Sequence, residues 1–271
     1  MSGAAHIDPP LPPHELRVLV GLTGDEHYDN PTRAPLWDLP DEAFDFVLDW
    51  GCGCGRLARR MLQQLPPPRR YLGIDLHRGM VRWCREHLAP CASGFEFVHH
   101  DVYNIGLNPQ GAAATLPLPA PDRAASLFIA VSVFTHVLEP AAAFYLGEVA
   151  RALRPGGIAM TTWFLFDKAD FPMMQESQNA LFINDVDPTN AVVYDRSWLR
   201  RTLREKGLGI WRVEQPDVRG FQWRVWLAPL GERPEVELPA DAAAFGVRRP
   251  PLLPAGAAEL GVERSPESRD E

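Results

Sequence analysis

Five apolar runs, at residues 46–49, 71–74, 95–98, 127–131 and 158–165, are separated by stretches that read as helix or connection. Short runs rich in Val, Ile, Leu and Phe predict buried strands. Their alternation with helical patterns predicts the α/β class, with a parallel, doubly wound sheet. A helix over 141–153 carries alanine and leucine, with Arg151 and Arg154 near its C-terminal end, and Pro155-Gly156-Gly157 stops it. Ser197 to Lys206 reads as a further helix, with Asp195 or Arg196 near its start. After it, 209–213 and 221–226 alternate apolar and polar positions, which predicts a strand pair joined by a turn containing Pro216 and Gly220.

The segments around this alternation have a different texture. Residues 1–13 are proline-rich and expected to be mobile, and His14 to Gly24 predicts a short helix with Leu16, Val18, Leu19, Val20 and Leu22 on its apolar side. Residues 102–126 read as a long surface connection. Residues 166–194 interrupt the pattern with Asp, Asn, Gln, Phe and Met, and an insertion after the C-terminal end of a strand lies on the ligand side of such a sheet. From about residue 231, prolines, alanines and charges without a period predict a disordered tail, with Phe245 and Leu252-Leu253 as local anchors. The expected organisation is an N-terminal segment in the position of a lid (1–44), a central domain (45–230) with the insertion 166–194, and the tail (231–271).

The chemistry concentrates where the first apolar run ends. Val47-Leu48-Asp49-Trp50-Gly51-Cys52-Gly53-Cys54-Gly55-Arg56 joins a buried strand to a helix start through three alternating glycines. Glycines let a backbone turn sharply and a ligand approach it closely, and the helix N-terminus behind them offers free N–H groups. Asp49, where the turn begins, is suited to a cationic ligand group. The second run ends in Asp75, about 20 residues after Gly55, where nucleotide-binding α/β folds hold ribose hydroxyls. A dinucleotide fingerprint, G-x-G-x-x-G/A, fails here because Arg56 occupies its sixth position.

The pattern Asp-x-Gly-x-Gly-x-Gly resembles instead the class I S-adenosylmethionine (SAM)-dependent methyltransferases. Phe95 to Val102, Leu127 to His136 and Glu148 to Gly157 match further family segments in order. The match is good over about 45–165 and looser over 195–229. It is nearest to small bacterial members with a Ser-Val-Phe-Thr-His segment, here Ser132 to His136, many of which modify glycans or small metabolites. The resemblance implies a Rossmann-like, mostly parallel seven-stranded sheet with a closing antiparallel pair, and SAM as cofactor. It implies cofactor contacts from Asp49, Gly51, Cys52, Gly53, Gly55 and Asp75. Asp101 is expected at the adenine amino group and the Val102 N–H at the ring. Leu76 and Met80 are expected on the adenine face, with backbone groups of Ala130 and Ser132 at the methionine end.

A hydroxyl acceptor must lose its proton, and imidazole is the side chain that exchanges protons near neutral pH. His136, just beyond the fourth run, is therefore the candidate catalytic base. His99 and His100 point to opposite sides of a strand and are expected in structural roles. Gln175, Gln178, Asn179, Asn184 and Asp187, near Trp163, Phe166, Phe171 and Phe182, suggest a polyhydroxylated acceptor, so the expected reaction is methylation of a hydroxyl on a sugar, glycan or small metabolite. N-methylation of a small molecule stays open. So do two readings from other classes: an NADP-dependent oxidoreductase using Arg78 at a 2′-phosphate, against which stands the lack of a Tyr-x-x-x-Lys pair, and a non-catalytic SAM-binding protein.

Charge and composition narrow the partners. A net charge of −8 without a basic cluster argues against nucleic acid. Arg59-Arg60 and Arg69-Arg70 read as solvated charges. No apolar run reaches the roughly 18–20 residues of a membrane helix, and the N-terminus lacks a signal-peptide pattern, so a cytoplasmic protein without a membrane partner is expected. Four cysteines, two of them in the glycine turn, suggest neither a disulfide framework nor a metal site.

Overall fold

All five apolar runs form strands of one sheet in a computed structural model, which describes residues 8–218 and 222–239. They are β1 (Phe46–Trp50), β2 (Arg70–Asp75), β3 (Phe95–His99), β4 (Ala125–Ala130) and β5 (Leu153–Phe166). Neighbours pair in parallel in the order β3-β2-β1-β4-β5. The helices are α1 (His14–Leu19), α2 (Arg56–Gln63), α3 (Arg78–His87), α4 (Glu139–Ala152) and α5 (Arg196–Glu205). Beyond β5 come a short hairpin, β6 (Ala180–Phe182) and β7 (Val192–Asp195), and a long pair, β8 (Leu208–Val218) and β9 (Gln222–Pro229).

Alternate side chains send the core to both faces of the sheet. Leu48, Trp50, Phe128 and Ala130 pack with α4 and α5. Val47, Leu127, Ile129 and Tyr71 pack with α2 and α3. Asp49 and Asp75, two and four residues along from Val47 and Tyr71, fall on the second face, at the C-terminal ends of β1 and β2. The sheet therefore decides that these two carboxyls meet on the α2 side.

The antiparallel pair closes the sheet as expected. β9 lies between β5 and β8 and is antiparallel to both. The main sheet is thus seven-stranded, β3-β2-β1-β4-β5-β9-β8. The pair is longer than its sequence pattern, and residues 219–221 of its connection lie outside the described residues.

Several local expectations are corrected. The helix over 141–153 starts earlier, at Glu139, and stops at Ala152; Leu153 already belongs to β5, and Pro155-Gly156-Gly157 lies in that strand beside a register shift against β4. The insertion 166–194 contributes its own strands: β7 pairs in parallel with the end of β5, and β6 pairs antiparallel with β7. Helix α1 is one and a half turns, with Val18 and Leu19 exposed, while Leu16 and Val20 pack with Tyr28, Cys54 and Met80. Residues 8–13 are tied down, because Pro9 and Pro12 are buried and the Pro9 carbonyl accepts from Arg59. Residues 231–239 are not a free tail: Val236 N donates to Ile210 O at 2.8 Å, Leu238 is buried, and Glu235 and Glu237 pair with Arg204 and Arg200. Residues 1–7 and 240–271, with the anchors Phe245 and Leu252-Leu253, lie outside the described residues.

Candidate functional site

The glycine turn is a backbone cradle. Gly51, Gly53 and Gly55 all have positive φ, +81°, +56° and +83°, a region in which a side chain is strained. At Gly51 space also forbids one, since a Cβ would lie 2.3 Å from Val133 Cγ2. Gly51 N and Cys52 N both donate to Ile74 O, at 2.7 and 3.1 Å, which folds the turn over the end of β2. Gly55 caps α2 without a side-chain bond, so the first N–H groups of that helix meet no side-chain acceptor from their own cap.

Two buried carboxyls flank the cradle. Asp75 accepts from Gly53 N at 2.8 Å and His77 N at 2.7 Å, one N–H on each oxygen, and keeps a lone pair on each. Burial pushes its carboxyl above the usual range, against the pull of those two N–H groups. Asp49 accepts from the Tyr71 hydroxyl. Burial pushes Asp49 up to about 7, although Tyr71 and Arg56 favour its charged form. Cys52 is buried between the turn and Gly73, and burial raises its thiol as well. Such a thiol packs and does not ionise.

The remaining predicted residues stand at the ends of neighbouring strands. Met80 is buried, with its sulfur 3.9 Å from the Cβ position of Gly53. Leu76 is half-buried and its carbonyl accepts from His99 Nε2 at 3.0 Å. Asp101, in the connection after β3, accepts from Asn108 Nδ2 at 3.1 Å. Ala130 ends β4, fully buried. One backbone expectation is corrected, that for Val102 N, and one is narrowed, that for the backbone groups of Ser132. Val102 N already donates to His100 O at 2.7 Å, so it is not available to a ring. Ser132 N donates to Thr162 Oγ1 at 2.7 Å, and its hydroxyl donates to Gln222 Oε1 at 2.9 Å. Ser132 has φ +56°, unusual for a residue with a side chain, and those two bonds hold it there.

His136 is exposed in the turn after β4, and its Nδ1 lies 2.9 Å from Thr189 O. A carbonyl only accepts, so Nδ1 carries the proton and the neutral ring presents Nε2 as a lone pair. Thr189 is itself fixed within the insertion. Asp187 Oδ1 accepts from Thr189 N at 3.0 Å and Thr189 Oγ1 at 2.5 Å, and Asn104 Nδ2 reaches Thr189 Oγ1 at 3.4 Å. Next to His136, the Thr135 hydroxyl is buried without a partner among the described residues.

Two features escaped the sequence. Arg59 is buried, not solvated. It donates to Pro9 O at 2.9 Å and Tyr28 O at 3.0 Å and pairs with Asp29, which binds the N-terminal segment to α2. Its one sequence signal is its place three residues before Leu62, on the edge of the apolar side of α2. That segment carries Val20, whose Cγ1 lies 3.1 Å from the Cβ position of Gly53. Second, several polar groups expected to face an acceptor hold the insertion together. Asn184 Oδ1 accepts from Val186 N and Asp187 N, and Asn179 Nδ2 donates to Glu139 and Ser177 O.

Residues 47–157 match the family model described as a methyltransferase domain. A phthiotriol/phenolphthiotriol dimycocerosates methyltransferase of Mycobacterium ulcerans is 30% identical over 168 residues, 56% of this chain and 55% of that protein. A fatty-acid O-methyltransferase of Mycolicibacterium smegmatis is 34% identical over 116 residues, 43% of this chain and 36% of that protein. The chain thus spans about half and about a third of the lengths of these two relatives. Among solved structures, a chain of the Haloferax volcanii complex between the Trm112 methyltransferase activator and a methyltransferase superposes with a TM-score of 0.51. It is 19% identical, over 76% of this chain and 91% of that one, a likeness of fold.

Proposed function

We propose that the chain, whose residues 47–157 match a methyltransferase-domain model, is a class I, SAM-dependent methyltransferase that methylates an oxygen of a small acceptor with His136 as general base. The site's donor set fits the cofactor. The three positive-φ glycines leave a cradle that a Cβ would fill, and each oxygen of Asp75 keeps a lone pair for a ribose hydroxyl. Asp49 places a carboxyl where a cation is neutralised, and Met80 gives an apolar wall. Asp101 supplies an acceptor for an amino group. When bound, SAM supplies a methyl group on a sulfonium sulfur, already activated for displacement by a lone pair.

The protein's own work is then to position the acceptor oxygen and take its proton. The observation that carries the reading is the His136 Nδ1 bond to the Thr189 carbonyl, which leaves Nε2 unprotonated in the neutral ring. That carbonyl also steadies the imidazolium once Nε2 has received the proton, as outer hydrogen bonds do for a histidine that must keep one tautomer. The O-methyltransferase name of one relative supports oxygen as the acceptor atom.

His136→Ala is expected to lower kcat about 10²–10⁴-fold, the range of general-base catalysis, with SAM affinity unchanged within about twofold. Unchanged turnover of a hydroxyl acceptor would remove His136 from the mechanism. Calorimetric titration with SAM, S-adenosylhomocysteine and NADPH, repeated on Asp75→Ala, tests the cofactor. Binding of the two adenosyl ligands that is lost in the variant supports the assignment; binding of NADPH alone overturns it.

A further inference from the structure

The insertion and the connection after β3 share an inverted polarity. In the insertion, Asn184 and Asp187 turn inward to cap their own backbone. Phe182 (49%), Ile183 (73%) and Val186 (85%) face solvent. In the connection, Asn104 Oδ1 accepts from Gly106 N at 3.0 Å and Leu107 N at 2.9 Å, while Ile105 and Leu107 are exposed. A solvated loop turns its amides out and its aliphatics in, because exposed apolar area costs about 25 cal/mol per Å². Here two segments far apart in sequence do the reverse. They also meet, since Asn104 Nδ2 reaches Thr189 Oγ1, and Thr189 O is the carbonyl that holds His136. The apolar residues lie within one to seven positions of that junction.

We infer that Ile105, Leu107, Phe182, Ile183 and Val186 form a rim that receives the hydrocarbon chain of an amphipathic acceptor, with its oxygen at His136. This rests on the methyltransferase reading and replaces a polyhydroxylated acceptor by a linear aliphatic one. The rim's continuity with the base argues for a substrate chain, because the chain must begin where the reacting oxygen is. Three polar atoms that a sugar could use beside His136, Asn179 Nδ2, Asn184 Oδ1 and Asp187 Oδ1, are instead engaged within the protein.

The test is a series of straight-chain primary alcohols, octanol, decanol and dodecanol, competing with a polarity-sensitive fluorescent fatty acid. The series is run on the full chain with and without S-adenosylhomocysteine. A fully buried methylene is worth about fourfold in affinity, so at least about fourfold tighter binding is expected per step of two carbons. Ile183→Asp with Val186→Asp is expected to flatten the series. Ile105→Asp with Leu107→Asp, on the other segment, is expected to do the same, and the thermal midpoint identifies whichever variant stays folded. A flat series in the unaltered protein that binds S-adenosylhomocysteine overturns the inference and leaves the methyltransferase reading standing. Failure to bind SAM or its product overturns that reading instead. A concentration-dependent dimer in sedimentation, abolished by either double variant, also overturns the inference, because the rim would then be covered by a second copy of the chain.

Discussion

Asp49 is the residue whose environment makes the clearest demand. It is fully buried at the end of β1, its carboxyl is pushed up to about 7, and the ordinary value is 3.8. A folded-state value above the unfolded one means that the native state binds the extra proton between about pH 4 and 7. Stability is therefore greatest below the unfolded value and declines as pH rises through the folded one, by up to about 4 kcal/mol for this one group. Asp49→Asn is expected to raise the thermal midpoint at pH 8 and to flatten its fall between pH 5 and 8. A cationic cofactor favours the ionised carboxyl, so SAM binding near pH 6.5 is expected to release a fraction of a proton. Calorimetry in buffers of different ionisation heat would show this, and the release should vanish in Asp49→Asn. At this scale the sequence was readable for position, since the two apolar runs place Asp49 and Asp75 at the C-terminal ends of β1 and β2. It was not readable for Thr189, because no local pattern announces a carbonyl that meets a histidine 53 residues away.

Among the elements, the N-terminal segment and the insertion each depend on one polar residue. Arg59 binds the carbonyls of Pro9 and Tyr28 together with Asp29, and its removal leaves two acceptors unpaired under the segment. Arg59→Ala is expected to cost about 2–3 kcal/mol in urea unfolding. It should also speed proteolytic cutting within residues 8–30 and weaken SAM binding, since Val20 would leave Gly53. Arg59→Lys should recover only part, because an ammonium cannot reproduce the guanidinium fork. In the insertion, Asp187→Ala removes the cap that presents Thr189 to His136. A fall in kcat of about tenfold is expected with SAM affinity unchanged, and Asp187→Asn, which keeps an Oδ1 acceptor for Thr189, should recover most of it. The hairpin of β6 and β7 escaped sequence reading because three- and four-residue strands are too short to show a period. β7 forms because the end of β5 offers it an unpaired edge.

For the molecule as a whole, the strand–helix alternation specified the parallel half of the sheet, and the pleat of that sheet then put the two carboxyls on one face. What lay beyond reach was how distant segments close upon it. Residues 8–13 and 231–239 look like disordered termini by composition, yet both are held by tertiary bonds, to Arg59 and to Ile210. Among the described residues no helix is long and apolar enough to cross a membrane, and no group of three or more His, Cys, Asp or Glu side chains is placed to hold a metal.

The position of β9 has a consequence for how the chain acquires its shape during synthesis. Among the described residues the strand is the last in the chain, yet it sits inside the sheet, with β5 on one side and β8 on the other. A nascent chain that has emerged only as far as β8 has its parallel half assembled and a gap beside β5. Residues 208–218 then have no strand to pair with until 222–229 leave the ribosome. Pairings of long sequence separation form slowly and expose unpaired edges meanwhile. A stop codon within 222–229 would thus remove an interior strand and strand its neighbour, and such a product should aggregate where loss of an outer strand would only trim the sheet.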